Sequence, residues 1–580
     1  MSYIYKGKKY TLTVTEERFT VECEGVEICS LIPTSPVMTV TVDGNGTCPE
    51  DYTEHPDLDE ETVSFETEGD SLYRWRTKSS LWEKVYTLSC DPDGFTYTVT
   101  VTGEGNIGKV TYFANGNSLQ KNRHCMTDTQ NHSTYGFYEY YFPCPSPNPA
   151  NAMRRTTGSD FHSFFELLIP PPYVYSFHAW GVDTRMGLGL FAKAGEYNFA
   201  KFDYNRVKRG EQFFFHLSTD LEGHTNAKGE FTLPAIRGFF GEDDDDIIRQ
   251  YCDYHYSTGL CRKNPRENMP RWWYGPIVCG WHEQYTLMEN GIPQKDYATQ
   301  AVYEHIAEEI EKHNIRPTIL IVDDKWQKTY GDCLPDTEKW PDMRAFTDKM
   351  HARGIHTLLW FRLWGGEGLP EEERLDMPKA MNDWGDTPYA DPTSEAYRAH
   401  LKKILHTLLS PDEGCMNADG LKLDYSLVMP LGKAAKSRGG IYGVEMTKTL
   451  YKLIYDTAKE IKPDCLINAS PAHPYFDEVC DQARLHDCCW SMRNQAELMA
   501  ERARIFRAAM PGVLIDTDSA NYASRPDAMR YFRAMPEIGI PDIYQFSNSC
   551  HITLKDEDWR EIERIFNDYS DRVDKMFADK

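Results

Sequence analysis

Over the first 240 residues, apolar and polar side chains alternate in short runs: Tyr10-Thr-Leu-Thr-Val-Thr, Val37-Met-Thr-Val-Thr-Val and Phe95-Thr-Tyr-Thr-Val-Thr-Val. A period of two sends successive side chains to opposite faces of a strand, and the Gly, Asp and Pro clusters between the runs supply the turns. Phe213 to Leu217 and Glu230 to Leu233 continue the pattern. Residues 1–240 therefore predict an antiparallel β-sandwich. The aromatic-rich stretch Tyr135 to Pro143 reads as sandwich core or as a loop reaching another domain's pocket.

The pattern changes at Gly241-Glu-Asp-Asp-Asp-Asp-Ile-Ile-Arg. Acids ahead of an apolar periodic stretch suit a helix N-terminus, so residues 241–271 read as a helical linker with a helix over 244–258. A calcium loop would need alternating ligands and a turn glycine, which the run lacks. From Trp272 the chain alternates strand and helix. The predicted strands are Gly275 to Trp281, Thr318 to Asp323, His356 to Phe361, Gly420 to Asp424, Cys465 to Asn468, Gln482 to Asp487, Val513 to Thr517 and Asp542 to Phe546. Stretches with apolar spacings of three and four lie between them, for example Met343 to Arg353 and Arg525 to Ile538; the fifth crossover, Pro471 to Cys480, is short and poorly periodic. Eight strand and crossover units predict a (β/α)8 TIM barrel over residues 272–580. An open doubly wound sheet would carry a Gly-rich phosphate loop after its first strand, and none is present.

Composition narrows the partners. At 580 residues the chain exceeds one compact core, and a net charge of −26 argues against nucleic acid or an anionic lipid surface. No run approaches the roughly 18 apolar residues needed to span a bilayer, and MSYIYKGKKY lacks the apolar region of a signal peptide. With 16 cysteines read as reduced thiols, the expected location is cytoplasmic, although a trimmed leader would leave the same start. The sequence leaves a homo-oligomer open.

Several strand segments end in carboxylates or tryptophans. Leu421 and Leu423 alternate with Lys422 up to Asp424, which places Lys422 and Asp424 on one side of their strand. The other ends carry Trp281, then Asp323-Asp324-Lys325-Trp326, Trp360-Phe361-Arg362, Arg484-Leu485-His486-Asp487 and Asp516-Thr517-Asp518. In a β/α barrel this edge carries the chemistry. Indoles stack on sugar rings, carboxylates bond sugar hydroxyls, and a facing pair of carboxyls cleaves glycosidic bonds, so the expected partner is an oligosaccharide or glycoside. No HExxH pair and no phosphate-cradling loop is present, so neither a metal nor another cofactor is expected. Trp272 and Trp273 read as domain-interface core and His486 as a packing residue; Trp364 and Glu367 belong to the rim or to a plain loop.

Beyond these patterns, Ile321-Val-Asp-Asp-Lys-Trp326, Trp340-Pro-Asp-Met343, Met350-His-Ala-Arg-Gly-Ile355, Leu359-Trp-Phe361 and Ala390-Asp-Pro-Thr-Ser-Glu-Ala-Tyr397 are similar to glycoside hydrolase family 36. That family holds α-galactosidases and raffinose synthases and shares a clan with families 27 and 31. Leu421-Lys-Leu-Asp424 resembles its nucleophile motif, and Arg484-Leu-His-Asp487 resembles the segment around its acid/base. The resemblance spans roughly residues 272 to 550. It implies Asp424 as nucleophile and Asp487 as general acid/base, with Asp323 and Asp324 on the 4- and 6-hydroxyls. Lys422 and Arg484 would bind other hydroxyls, and Trp281, Trp326 and Trp360 would wall the pocket. Asp518 falls where family 27 has an Asp-Pro-Asp. Three positions depart: Lys325 replaces a glycine, Cys488 follows Asp487 where an acid is common, and Arg362 replaces a glutamate. The implied activity is retaining α-glycoside hydrolysis, α-galactosidase-like, with carboxyls about 5–5.5 Å apart. Asp477 and Asp481 compete with Asp487 if the sixth strand is displaced. A transglycosidase on the same site and a sugar-binding protein without catalysis are the alternatives. Lys325 and Arg362 suit an anionic substrate or salt bridges to rim acids.

Overall fold

The computed structural model describes residues 1–47, 49–114, 127–129, 132–133, 170–179, 181–209, 212–289, 291, 298–376, 388–487, 495–518, 522, 524–549 and 552–578. The stretch Tyr135 to Pro143 lies outside them, as does Cys488.

The N-terminal part is an antiparallel β-rich domain. Its longest strands, Gly94–Tyr112 and Gln212–Thr232, pair along most of their length, with a register shift between Ile107 and Lys109. Along Thr11–Val14 and Phe19–Cys23 alternate positions are buried, as the sequence pattern requires. Ala235–Gly241 then leads into helix α1 (Asp244–Ser257), where the Asp243 side chain accepts from the Asp246 backbone N–H at 2.7 Å and Asp244 to Asp246 fill the first turn. That arrangement explains the acidic run: its carboxylates cap and complement the helix N-terminus.

The second part is a parallel eight-stranded barrel: β1 (Ile277–Cys279), β2 (Ile319–Val322), β3 (His356–Arg362), β4 (Gly420–Asp424), β5 (Leu466–Ala469), β6 (Gln482–Arg484), β7 (Leu514–Asp516) and β8 (Asp542–Ile543). β8 pairs with β1, and an Asp516–Ile540 bridge joins β7 to the approach to β8, so the sheet closes. The crossovers carry α2 (Trp281–Glu289), α3 (Gln300–Lys312), α4 (Met343–His351), α5 (Glu395–Leu409), α6 (Gly443–Ile461), α7 (Gln495–Ala509) and α8 (Arg525–Ile538); α9 (Asp556–Ala578) follows β8. The poorly periodic fifth crossover is a 3-10 turn, Pro474–Val479.

Two readings are corrected here. β1 stops at Cys279, and Trp281 opens α2 instead of ending the strand. Trp272 and Trp273 pack with Ile277, Ile319, Leu358, Leu466 and Leu514 inside the barrel floor, not between domains. The cause is geometric: the chain enters beneath β1, where the barrel's end would otherwise expose apolar side chains.

The β-rich domain and helix α1 pack on the start of α6 and on the loop that leaves β5. Val444 N–H donates to the Phe199 carbonyl at 3.1 Å, the Tyr197 and Gly195 N–H groups donate to Glu445, and the Tyr251 hydroxyl meets His473 Nε2 at 2.9 Å. Gly443, at φ 59°, is needed here because a Cβ would sit 2.1 Å from the Phe199 carbonyl oxygen. The segment that follows Asp424 is thus anchored from outside the barrel.

Candidate active site

Alternation along the strands sorts the interior side chains. On β2 the inward series is Ile319, Ile321, Asp323; on β3 it is Leu358, Trp360, Arg362; on β4 it is Gly420, Lys422, Asp424; apolar members stand at the floor and charged ones at the mouth. Parallel register places Trp360 beside Lys422 and Arg362 beside Asp424.

Arg484 is the hub. Its Nη2 donates to Asp424 Oδ1 at 2.7 Å, while its Nη1 donates to Asp487 Oδ1 at 3.0 Å and to Asp518 Oδ2 at 2.9 Å. Three carboxylates from β4, the end of β6 and the end of β7 share one fully buried guanidinium. Their openness separates them: the Asp424 and Asp487 side chains are 17% and 19% exposed, and Asp518 is 0%. Asp518 also accepts from the Tyr544 hydroxyl at 2.7 Å, so it acts as a buttress inside the barrel.

Asp424 accepts further from the Trp360 indole N–H at 3.0 Å and from the Tyr425 backbone N–H at 2.8 Å. Burial alone would raise its pKa; the charges of Arg484 and Lys422 and the Trp360 hydrogen bond overcome it and hold the carboxyl well below the usual range. Asp487 goes the other way. Burial, aided by the negative charges of Asp518 and Asp424 and only partly opposed by Arg484, pushes it up to about 6. One acid stays ionised and its neighbour holds a proton into the near-neutral range, the division that general-acid chemistry beside a nucleophile requires.

The remaining predicted residues take these places. Asp323 bonds Lys422 Nζ at 2.7 Å and receives the Cys279 thiol at 3.0 Å. Asp324 lies beside Lys325 Nζ at 3.6 Å and accepts from the Tyr330 hydroxyl at 3.3 Å; burial lifts it to about 6. The Trp326 indole N–H donates to the Trp360 carbonyl at 3.0 Å, which fixes the strand under Trp360. Trp281 is half-buried against the barrel's inner cluster. Arg362 lies over the rings of both Tyr330 and Tyr425, its guanidinium carbon 4.6 and 4.4 Å from their centroids. Asp477 pairs with Arg266, and Asp481 with Lys459 and Tyr455, both away from this cluster.

Lys325, Tyr425, His486 and Asp518 all adopt left-handed backbone, at φ 78°, 65°, 69° and 56°. Non-glycine residues there cost about 1–3 kcal/mol each and gather where geometry serves a site. Lys325 stands where the resembled motif has glycine, and its φ of 78° shows what that glycine would supply.

Sequence reasoning missed Tyr544, Cys279, Tyr330 and Tyr425. Two of them had a signal: Cys279 is two before Trp281, and Tyr544 is two after Asp542, so extending the period-two reading would have turned both inward. Tyr330 reaches the site from a loop and had none.

Comparison with known proteins bears on this geometry. Residues 267–460, about a third of the chain, match the glycosyl hydrolases family 31 TIM-barrel domain. A search of curated proteins finds no match. Among solved structures, a family 31 sulfoquinovosidase from E. rectale in complex with the aza-sugar inhibitor IFGSQ is similar at a TM-score of 0.56 and 12% identity, over 96% of this chain and 82% of that one. A cycloalternan-degrading enzyme from Trueperella pyogenes in complex with isomaltose gives 0.52 and 12%, over 97% and 82%. A family 36 α-galactosidase from Geobacillus stearothermophilus reaches 0.49 at 11%, over 98% and 76%, too low to carry an argument. The family 36 resemblance is therefore not confirmed. The domain match and the shared fold support a glycosyl hydrolase with a family 31-like barrel.

Proposed function

We propose that this protein is a retaining α-glycoside hydrolase in which Asp424 attacks the anomeric carbon. Asp487 protonates the departing oxygen, then takes a proton from the water that releases the sugar. The observation that carries the reading is one guanidinium, Arg484, joining two partly open carboxylates whose pKa values are driven apart. Lys422 and Arg484 keep Asp424 ionised for attack, and Trp360 orients it through the indole N–H. Asp323 and Asp324 face the sugar's hydroxyls, with Trp281 and Trp360 lining the pocket.

The finer reading, an α-galactosidase-like specificity, rests on the motifs around Asp323-Asp324 and Leu421-Lys-Leu-Asp424. A panel of 4-nitrophenyl α-glycosides, with the product's anomeric configuration followed by NMR during the first turnovers, tests both levels. Release of the α-anomer is expected, with the galactoside fastest among the neutral sugars. Initial release of the β-anomer would replace double displacement with inversion, and preference for another neutral sugar would overturn the galactoside reading alone. Transfer to an added sugar acceptor in preference to water would make the enzyme a transglycosidase.

A further inference from the structure

Among the described residues, four cations stand at the mouth of the barrel, and three of them have carboxylate partners. Arg484 serves Asp424, Asp487 and Asp518, Lys422 serves Asp323, and Lys325 lies beside Asp324. Arg362 differs. It is 7% exposed, yet its contacts are the two tyrosine rings, and no carboxylate of the described residues lies within salt-bridge distance of it. Asp424, its register neighbour across β3 and β4, is engaged by Arg484 and Trp360 instead.

A guanidinium taken out of water without a counter-charge is costly. Two electron-rich rings, those of Tyr330 and Tyr425, offset part of that cost. Neither ring contact uses the guanidinium N–H donors, the ones that grip an oxyanion in a fork, and among the described residues no acceptor bonds them. These donors are not sealed in: Arg484 Nε is buried without a partner, whereas no Arg362 nitrogen is in that state. Tyr330 and Tyr425 link the same arginine to the site, since Tyr330 bonds Asp324 and Tyr425 donates its backbone N–H to Asp424. Arg362 is thus tied through both rings to the residues that carry Asp324 and Asp424, and it is the register neighbour of Asp424.

We infer that Arg362, clasped by Tyr330 and Tyr425, is an anion subsite, and that the natural glycoside carries a carboxylate or sulfonate on the sugar held at Asp424. This rests on the hydrolase reading for the position of the sugar but not for the anion's grip. A neutral hydroxyl would leave the guanidinium uncompensated, so the site discriminates by charge as well as shape.

The test uses Asp424→Asn, which blocks turnover, and calorimetric binding of 4-nitrophenyl α-glycosides bearing a C6 carboxylate, a C6 sulfonate or a C6 hydroxyl. At least one anionic glycoside should bind about 30-fold or more tighter than the neutral one, the scale of a desolvated charge-assisted pair. Comparison of the two anions decides which is the ligand. Arg362→Met in the same background should abolish that preference, and Arg362→Lys, which keeps the charge and loses the fork, should retain a small part of it. Circular dichroism on each variant checks folding. Equal affinity for charged and neutral glycosides, or a preference that survives Arg362→Met, overturns the subsite. Wild-type hydrolysis of neutral glycosides would in that case leave the hydrolase reading standing. Charge-selective binding with no turnover of any glycoside by the wild type would do the reverse.

Discussion

Strand β4 carries two aspartates five residues apart at its ends, and on the proposed mechanism they separate a reactive carboxylate from a structural one. Asp419, at the floor, accepts from the Thr357 backbone N–H at 2.9 Å, from His351 Nε2 at 2.6 Å and from Lys462 Nζ at 3.3 Å. Burial would raise its pKa, but the imidazoles and Lys462 hold it well below the usual range. Asp424, at the mouth, is only partly buried and is also held low. A depressed pKa therefore does not distinguish them. The difference is the neighbour: Asp424 shares its cation with a second carboxyl lifted to about 6, and both open toward solvent. Around Asp419 the described partners are donors alone. One end of the strand satisfies its charge and locks the fold; the other leaves charge in tension where a substrate can enter.

The sharpest break of this comparison is a pair of isosteric substitutions. Asp424→Asn should lower kcat on an aryl α-glycoside by about a thousandfold or more, while Asp419→Asn should leave kcat within about threefold. Comparable losses in both would erase the distinction. Next in size, Asp487→Asn should cost about a hundredfold or more on a poor leaving group, as loss of a general acid does. In the wild type kcat/KM should decline as pH rises through about 6, because Asp487 must be protonated. Asp324 titrates in the same range, so the limb should survive Asp324→Asn and vanish in Asp487→Asn.

Smaller effects are expected at the floor. Asp419→Asn should lower unfolding free energy by about 2 kcal/mol at pH 7, measured by urea titration, through loss of charge-assisted hydrogen bonds. Because the folded pKa is depressed, that contribution is present above the unfolded carboxylate value of about 4 and fades as pH falls toward the folded value. The two proteins should therefore converge in stability at strongly acid pH. Lys462→Met, removing one of several donors to Asp419, should cost about 1 kcal/mol.

Much of the architecture was legible because it rests on local periodicity. The alternation of Leu421-Lys-Leu-Asp424 marked β4 and the side on which Lys422 and Asp424 lie, and the apolar run ending at Asp323 marked β2, whereas the sixth strand, expected to run to Asp487, stops at Arg484. Trp281 was misplaced because Gly280 ends the strand after so few residues that three-residue β1 and the start of α2 read as one apolar stretch. Tyr330 was invisible because no period links a loop residue to a ring stacked over an arginine 32 positions later.

By itself, the sequence determined the order of strands and helices and that Lys422 and Asp424 share one side of β4, since a pleated backbone sends every second side chain to the same face. Only the tertiary structure decided that Asp424, Asp487 and Asp518 meet on Arg484, that two of them stay open, and that Arg362 lacks a carboxylate partner among the described residues. The reason is that burial and Coulomb energies depend on distances through space, and groups about 60 positions apart along the chain acquire those distances only when the barrel closes.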